Sequence, residues 1–302
     1  MTATSDAAAA PFRCAAASLA RGESIVGTAS TVRGFVAVED AGPWGERALV
    51  DSRLPDDVKR FLRGLESART KVLLVRRPGR AARQATGVRV LVAHTVEPWL
   101  ETTTLDRVED VMGLDLSGLD DGRSPGLDRV EAPAYLVCTH GRHDACCAER
   151  GRPYATALAE VAAEETWEVS HLGGDRFAAN ALVLPHGLYY GRLPVERAAS
   201  FAEDHAAGRL DLDHLRGRSR FGFAVQAAEI HLRRELDDRH VAAYLLRAVR
   251  RVEDLTTATF EADGKAWQVE VARSANPPDA LTCKARAASA SPHHELVAIT
   301  RL

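Results

Sequence analysis

Residues 135–180 concentrate metal-binding side chains, and this stretch constrains the chain more than any other. It begins YLVCTHGRHDACCAERG, ends WEVSHLGGDRFAAN, and holds three of the five cysteines and three of the eleven histidines. Cys138 and Cys147 have eight residues between them, and His171 and Asp175 have three. Because each pair begins close to the end of a predicted strand, the pattern indicates a metal or cluster site.

The composition excludes several classes of protein. The hydrophobic fraction of 46% and the charged fraction of 27% are ordinary for a globular chain of 302 residues. A net charge of −3 gives no support for nucleic-acid binding. No apolar run is long enough to predict a membrane span. An odd, clustered set of cysteines fits a reducing compartment, so we expect a cytoplasmic protein.

Apolar periodicity predicts an α/β arrangement in the first part of the chain. Helical spacing or start signals predict two helices, at residues 12–20 and 54–65. Runs of apolar and β-branched residues predict strands at residues 31–38, 71–75, 88–93 and 100–105. We expect a frayed tail at residues 1–11, a basic turn at 76–87 and a Gly- and Asp-rich linker at 113–132.

The second part loosely repeats this order. Strands are predicted at residues 134–137, 166–169, 181–184 and 188–190, and helices at 148–165 and 194–206. We therefore expect two related halves, each a mixed sheet with helices on both faces. The predicted domains are residues 12–112, 131–208 and 209–302.

The predicted third domain combines helices with a hairpin. Its predicted elements are helices at residues 223–236 and 240–252, hairpin strands at 258–261 and 267–271, and an edge strand at 295–299. Asp263-Gly264 is the turn signal of the hairpin. The basic residues of 216–220, with Arg233 and Arg234, predict a solvated face, or else a docking surface for an acidic redox partner or a phosphorylated ligand.

The site stretch resembles the sucrase/ferredoxin-like family, a branch of the thioredoxin-like 2Fe–2S ferredoxins. Members share a C-x8-C segment followed by H-x-G-G-H. The matching residues are Cys138, Cys147, His171, Gly173 and Gly174. The likeness extends to GPWGERALVDSRLP (42–55), RFAANALVLPHGLYYGRL (176–193) and LTCKA (281–285). The resemblance implies thioredoxin-like halves, a 2Fe–2S cluster with two Cys and two His ligands, and electron exchange with an unknown redox partner.

One ligand departs from the family pattern, because Asp175 stands where the second histidine is expected. Either Asp175 binds iron through its carboxylate, or Cys146, His140 or His143 takes its place, or the site is a bare thiol site. We expect Gly173 and Gly174 to let the backbone approach the cluster. Arg176 is a further candidate for contact with it.

Two other classes of function remain open from the residues. Zinc accepts Cys, His and Asp ligands, so the same four positions could stabilise a non-catalytic binding module. Cys138 with His171 could also be the pair of a Cys–His enzyme. The remaining cysteines, Cys14 and Cys283, are expected to be buried apolar residues, and so is Cys146 unless it serves as a spare ligand.

Overall fold

The structure is a computed structural model that describes residues 11–79, 87–242 and 244–302. The predicted frayed tail, apart from its last residue, and most of the predicted basic turn lie outside the described residues. The described chain forms a ten-stranded sheet, a separate four-stranded sheet and six α-helices. The predicted α/β class is therefore confirmed.

The first half of the large sheet is built on a buried parallel pair of strands. Its elements are α1 (Cys14–Ala20), β1 (Gly34–Glu39), α2 (Ala48–Asp51), α3 (Asp56–Leu65), β2 (Thr70–Arg76), β3 (Val88–His94), β4 (Trp99–Leu105) and β5 (Asp128–Arg129). Strand β1 runs parallel to β2 and antiparallel to β3, and β3 pairs antiparallel with β4. A parallel pair needs a crossover connection, which α2 and α3 provide here.

The second half repeats this topology. Its elements are β6 (Ala134–Cys138), α4 (Ala145–Val161), β7 (Thr166–Val169), β8 (Ala181–Leu184), β9 (Leu188–Tyr190), α5 (Ala198–Ala206) and β10 (Leu215–Arg218). The strand order β7-β6-β8-β9-β10 matches β2-β1-β3-β4-β5 of the first half. The β6–β7 pair is parallel and the β6–β8 pair is antiparallel, as in the first half.

The two halves join edge to edge into one sheet. Strands β2 and β7 pair antiparallel through Val75↔Val169 and Arg76↔Glu168. The Arg76 guanidinium also lies 2.6 Å from the Glu168 carboxylate. The segment at residues 113–132 is ordered: its Leu116 is buried in the core of the first half. The predicted linker is thus a connection that packs against the first half. The domain boundaries stay a prediction.

The C-terminal region contains the predicted first helix, hairpin and edge strand, but a strand replaces the second predicted helix. It contains α6 (Phe223–Glu235) and an antiparallel sheet of β11 (Leu245–Val252), β12 (Leu255–Ala262), β13 (Lys265–Ala275) and β14 (Pro292–Arg301). The helix predicted at 240–252 is wrong, because most of that segment is β11. The turn to β12 uses Glu253 in a left-handed conformation (φ 50°) and lacks the Asn-Gly or Asp-Gly signal of a tight hairpin.

The predicted basic surface is also wrong for its central residues. Arg216, Arg218 and Arg233 are each at most 2% exposed. Arg218 and Arg233 both bind the buried carboxylate of Glu229 on α6. These guanidiniums tie α6 and β10 together inside the protein, so they offer neither a solvated face nor a docking surface. Among the described residues, no helix has the length and apolar character needed to cross a membrane.

Candidate metal centre

Parallel strand pairing brings the two halves of the predicted site together. Strand β6 ends at Cys138, whose register partner at the end of β7 is Val169. Carboxyl ends of parallel strands lie at the same edge of a sheet, so His171, two residues after β7, falls beside Cys138. Two glycines with positive φ, Gly173 (91°) and Gly174 (80°), then turn the chain into a short 3-10 helix that begins at Asp175.

Helix α4 delivers the second thiol. It begins three residues earlier than predicted, and its N-cap residue Asp144 accepts a hydrogen bond from the Cys146 N–H (2.9 Å). Cys146 and Cys147 therefore lie in the first turn and face different groups of residues. Gly151 permits the close packing of α4 on β6, since a Cβ there would collide with the Cys138 carbonyl.

Cys138, Cys147, His171 and Asp175 form one compact cluster, here called the cysteine–histidine group. The donor atoms of the two cysteines and the histidine all lie within 4.8 Å of one another. Asp175 Oδ1 lies 3.2 Å from Cys147 Sγ and 3.1 Å from His171 Nδ1. His171 Nδ1 is buried and makes no directional hydrogen bond, so it keeps a lone pair or proton available. All four predicted ligands are thus brought together.

The electrostatics of this group favour an ion pair in the metal-free protein. A hydrogen bond from Cys147 lowers the pKa of Cys138 well below its usual range against the effect of burial, and His171 lowers it further. Burial opposes protonation of His171, but Asp175 and Cys138 together raise its pKa to about 9. Burial also opposes ionisation of Asp175, yet contact with His171 leaves its pKa lowered. Such perturbed groups in contact are typical of functional sites.

The predicted cofactor neighbours have other partners within the protein. A Cβ on Gly174 would enter the guanidinium of Arg216, which also donates to the carbonyl of Gly173 (2.9 Å). The glycine pair thus makes room for a buried arginine, a partner that the sequence analysis missed. Arg176 donates to the carboxylate of Glu23 (2.7 Å). Any contact of Gly173, Gly174 or Arg176 with a cofactor stays a prediction.

Of the alternative fourth ligands, His143 lies nearest the group. Its ring stacks on His171 with the centroids 3.7 Å apart, and its Nε2 is 3.8 Å from Asp175 Oδ2. His140 instead contacts the Gly45 carbonyl through Nε2 (2.9 Å). The loop after β1 thus contacts the segment between β6 and α4 beside the site, through Gly45 with His140 and Glu46 with His143.

A second group combines the three cysteines that were expected to be apolar core residues or, for Cys146, a spare ligand. Cys14, Cys146, Cys283 and Asp144, here called the three-cysteine group, bring their donor atoms within 4.8 Å of one another. Sequence spacing could not reveal this group, because its members come from residues 14, 144, 146 and 283. One local pattern pointed to part of this group: Asp144 and Cys146 stand two residues apart at the start of α4, where the sequence allows Asp144 to be the N-cap.

The fold and the donor sets define an α/β protein whose cysteine, histidine and aspartate groups could hold a metal ion. The chain belongs to the sucrase/ferredoxin-like family, whose sequence profile matches residues 25–217, more than half of its length. This match confirms the resemblance drawn from the motifs between residues 42 and 193, whereas the LTCKA segment (281–285) lies outside the matched residues. No curated protein and no solved structure matches the chain.

Proposed function

We propose that the chain binds a 2Fe–2S cluster through Cys138, Cys147, His171 and Asp175 and acts in one-electron transfer or redox sensing. The observation that carries the proposal is the convergence of two thiols, an imidazole and a carboxylate at one sheet edge. Thiolate and imidazole are the ligands that proteins use for such clusters, and family membership favours the same reading.

The chain's own residues would hold and tune the group. Cys138 and Cys147 would supply thiolates from β6 and α4, and His171 would bind as a neutral imidazole. Asp175 in place of a second histidine would add negative charge, which favours the oxidised state and lowers the reduction potential. When bound, the cluster would supply a one-electron redox couple.

The position of the site suits exchange with a partner protein. The His171 and His143 side chains are 27% and 35% exposed, whereas the Asp175 side chain is 4% exposed. The imidazole edge is thus the open side of an otherwise buried group. We place this chemistry in the cytoplasm, since none of the five cysteines forms a disulfide bond and a reducing compartment would keep them reduced.

A second candidate function is a zinc-stabilised binding module. One observation favours it: the donor atoms of Cys138, Cys147 and His171 lie close enough to surround a single ion. Zinc would give a colourless protein with no redox couple, so a simple measurement separates the two functions.

The deciding experiment is a visible absorption spectrum of anaerobically purified protein, with iron and acid-labile sulfide measured on the same sample. We expect a reddish-brown protein with iron and sulfide each near two per chain, roughly the content of one 2Fe–2S cluster. A colourless protein without iron would overturn the cluster and the electron-transfer function. Zinc lost on Cys138→Ser substitution would then identify the binding module.

A further inference from the structure

The three-cysteine group gathers distant parts of the chain around one point. Cys14 lies on α1, Asp144 and Cys146 open α4, and Cys283 lies in the segment between β13 and β14. Cys146 Sγ is 3.4 Å from Cys283 Sγ, which is 3.6 Å from Cys14 Sγ. Both Asp144 oxygens are 3.7 Å from Cys14 Sγ. Four donors therefore surround a single small volume.

The spacing of the sulfurs matches that of a tetrahedral zinc site. Zinc–thiolate bonds of about 2.3 Å place neighbouring sulfurs about 3.8 Å apart on the edges of a tetrahedron. The two sulfur–sulfur distances of 3.4 and 3.6 Å fall slightly below that edge. They are far from the roughly 2.05 Å of a disulfide bond. Three thiolates and one carboxylate complete the four ligands of a closed structural site.

The carboxylate of Asp144 is held in place as a metal ligand would be. It is fully buried, and within the described ranges it forms no ion pair with Lys, Arg or His. Its oxygens accept hydrogen bonds from the N–H groups of Cys146 (2.9 Å) and Cys283 (2.7 Å). Each carboxylate oxygen therefore keeps a lone pair that could bind a cation.

We propose that Cys14, Cys146, Cys283 and Asp144 form a second, structural site that binds one zinc ion per chain. Zinc displaces the three thiol protons to solvent and binds the resulting thiolates. It ties α1 and the segment before β14 to the first turn of α4, next to the cysteine–histidine group. Two of its ligands, Cys14 and Cys283, lie outside the residues that match the family profile. The site is independent of the proposed redox function.

The test is metal analysis of the anaerobically purified full chain and two matched variants. Cys283→Ser changes a partly exposed member of the three-cysteine group, and Cys138→Ser makes the same change in the cysteine–histidine group. We expect wild type to hold about one zinc per chain. Cys283→Ser should lose that zinc and keep its iron, whereas Cys138→Ser should lose iron and keep zinc.

A result that places no zinc at the three-cysteine group overturns the second site. Zinc retained in Cys283→Ser, or lost only in Cys138→Ser, would place any zinc elsewhere. A Cys146–Cys283 disulfide found by non-reducing peptide mapping would show a redox pair in its place. A wild type without iron would end the proposed function but leave this test intact, because zinc loss in Cys283→Ser would still identify the site.

A measurement on the wild-type chain tests the proposal without depending on whether the variants fold. Metal-free wild type is titrated with Co²⁺, and binding at the three-cysteine group should give thiolate-to-cobalt charge-transfer bands and the intense visible bands of tetrahedral cobalt. It should also protect Cys283, the partly exposed member of the group, from alkylation, as located by peptide mapping. If Co²⁺ leaves Cys283 as reactive as before, the proposal fails.

Discussion

His171 is the residue on which the chemistry of the cysteine–histidine group depends. Its ring contacts the Asp175 carboxylate on one side and stacks on His143, and its donor atom lies within reach of both Cys138 and Cys147. Because its side chain is also partly exposed, it connects the buried donors with the surface. Changes at His171 should therefore affect metal content before they affect the fold.

We expect His171→Ala to lower cluster affinity by at least about tenfold, since removal of a ligand costs more than loss of a residue that supports one. Iron and sulfide assays on anaerobically purified protein measure the effect. His143→Ala is the matched control and should keep its iron. If His171→Ala retains full iron and sulfide, His171 is not a ligand.

Asp175→His restores the histidine of the family pattern. We expect it to retain iron and to shift the visible spectrum, because a neutral imidazole replaces a carboxylate at the metal. Absorption spectra of the two proteins, purified in parallel, measure the shift. Superimposable spectra would show that Asp175 does not contact the iron.

Gly174 is constrained by its backbone and by its neighbour together. We expect Gly174→Ala to destabilise the protein by more than the roughly 1–2 kcal/mol of a left-handed alanine, because the new Cβ also meets Arg216. Gly173→Ala is the control: φ is also positive there, but the nearest atom is Ser30 Oγ at 3.5 Å. Urea unfolding of both variants gives their free energies of unfolding, and the difference between them measures the cost of the clash with Arg216. Equal losses of stability would show that there is no such clash.

At the scale of elements, α6 and α5 are held by buried polar groups as well as by apolar packing. Glu229 on α6 lies between two fully buried guanidiniums, 3.4 Å from Arg218 Nε and 3.0 Å from Arg233 Nη2. On α5, His205 packs among aromatic rings, including Phe201 with centroids 4.6 Å apart. Both arrangements place titratable groups where water cannot stabilise their charges.

Glu229→Gln should destabilise the protein by about 3–5 kcal/mol, because it leaves the buried Arg218 guanidinium without a counter-charge and Arg233 with only Asp238. Glu261→Gln makes the same chemical change in the exposed Arg247–Glu261 pair and should cost at most about 1 kcal/mol. The free energies of unfolding from urea titrations give the comparison. Similar losses in the two variants would rule out a special cost of burial.

His205 should make the protein sensitive to acid. Burial lowers its pKa to about 4, with His186 and Arg218 acting in the same direction and Asp204 and Asp211 against it. The unfolded chain binds this proton near pH 6.5 and the folded chain does not, so stability is complete above about pH 6.5. It should fall by roughly 3 kcal/mol as the pH drops towards 4.

Urea unfolding at a series of pH values measures this dependence. In His205→Leu, the slope of the unfolding free energy against pH should decrease by the equivalent of about one proton between pH 6.5 and 4. Some pH dependence should remain, because the pKa of His186 is also lowered to about 4. An unchanged slope in the variant would show that His205 is not the group responsible.

At the scale of the whole molecule, the two halves share one core as well as one sheet. A single apolar cluster contains Phe35 and Leu73 from the first half and Leu136 and Trp167 from the second. Neither half can lose its structure without exposing apolar surface of the other. The two halves therefore have the same strand order, but each depends on contacts with the other for its stability.

We accordingly expect residues of both halves to unfold in a single transition. Urea titrations followed by far-UV circular dichroism and by tryptophan fluorescence should superimpose, since tryptophans lie in both halves, at Trp44, Trp99 and Trp167. Two resolved transitions, or midpoints that differ between the probes, would contradict this expectation.

Sequence reasoning found what local patterns encode and missed what distant contacts decide. Apolar runs and motif spacing predict β1 to β4, β6 to β9 and the proximity of Cys138, Cys147 and His171, whereas β5 and β10 lie in segments expected to be a linker and a basic face. The segment at β11 was misread because Val241, Leu245, Val249 and Val252 recur at helical spacing, whereas pairing with β12 decides its conformation. The three-cysteine group and the buried role of Arg216 depend on contacts between distant segments.

The outer strand of the C-terminal sheet has a consequence for how copies of the protein behave towards each other. Among the described strands, β11 pairs only with β12, so within that part of the chain one side of its backbone is free to hydrogen-bond to another chain. Exposed apolar residues such as Val249 and Val252 would favour such an addition. Arg247, Arg250 and Arg251 interrupt them along the same strand, and two such edges brought together would repel each other. Charge on this strand thus guards against aggregation.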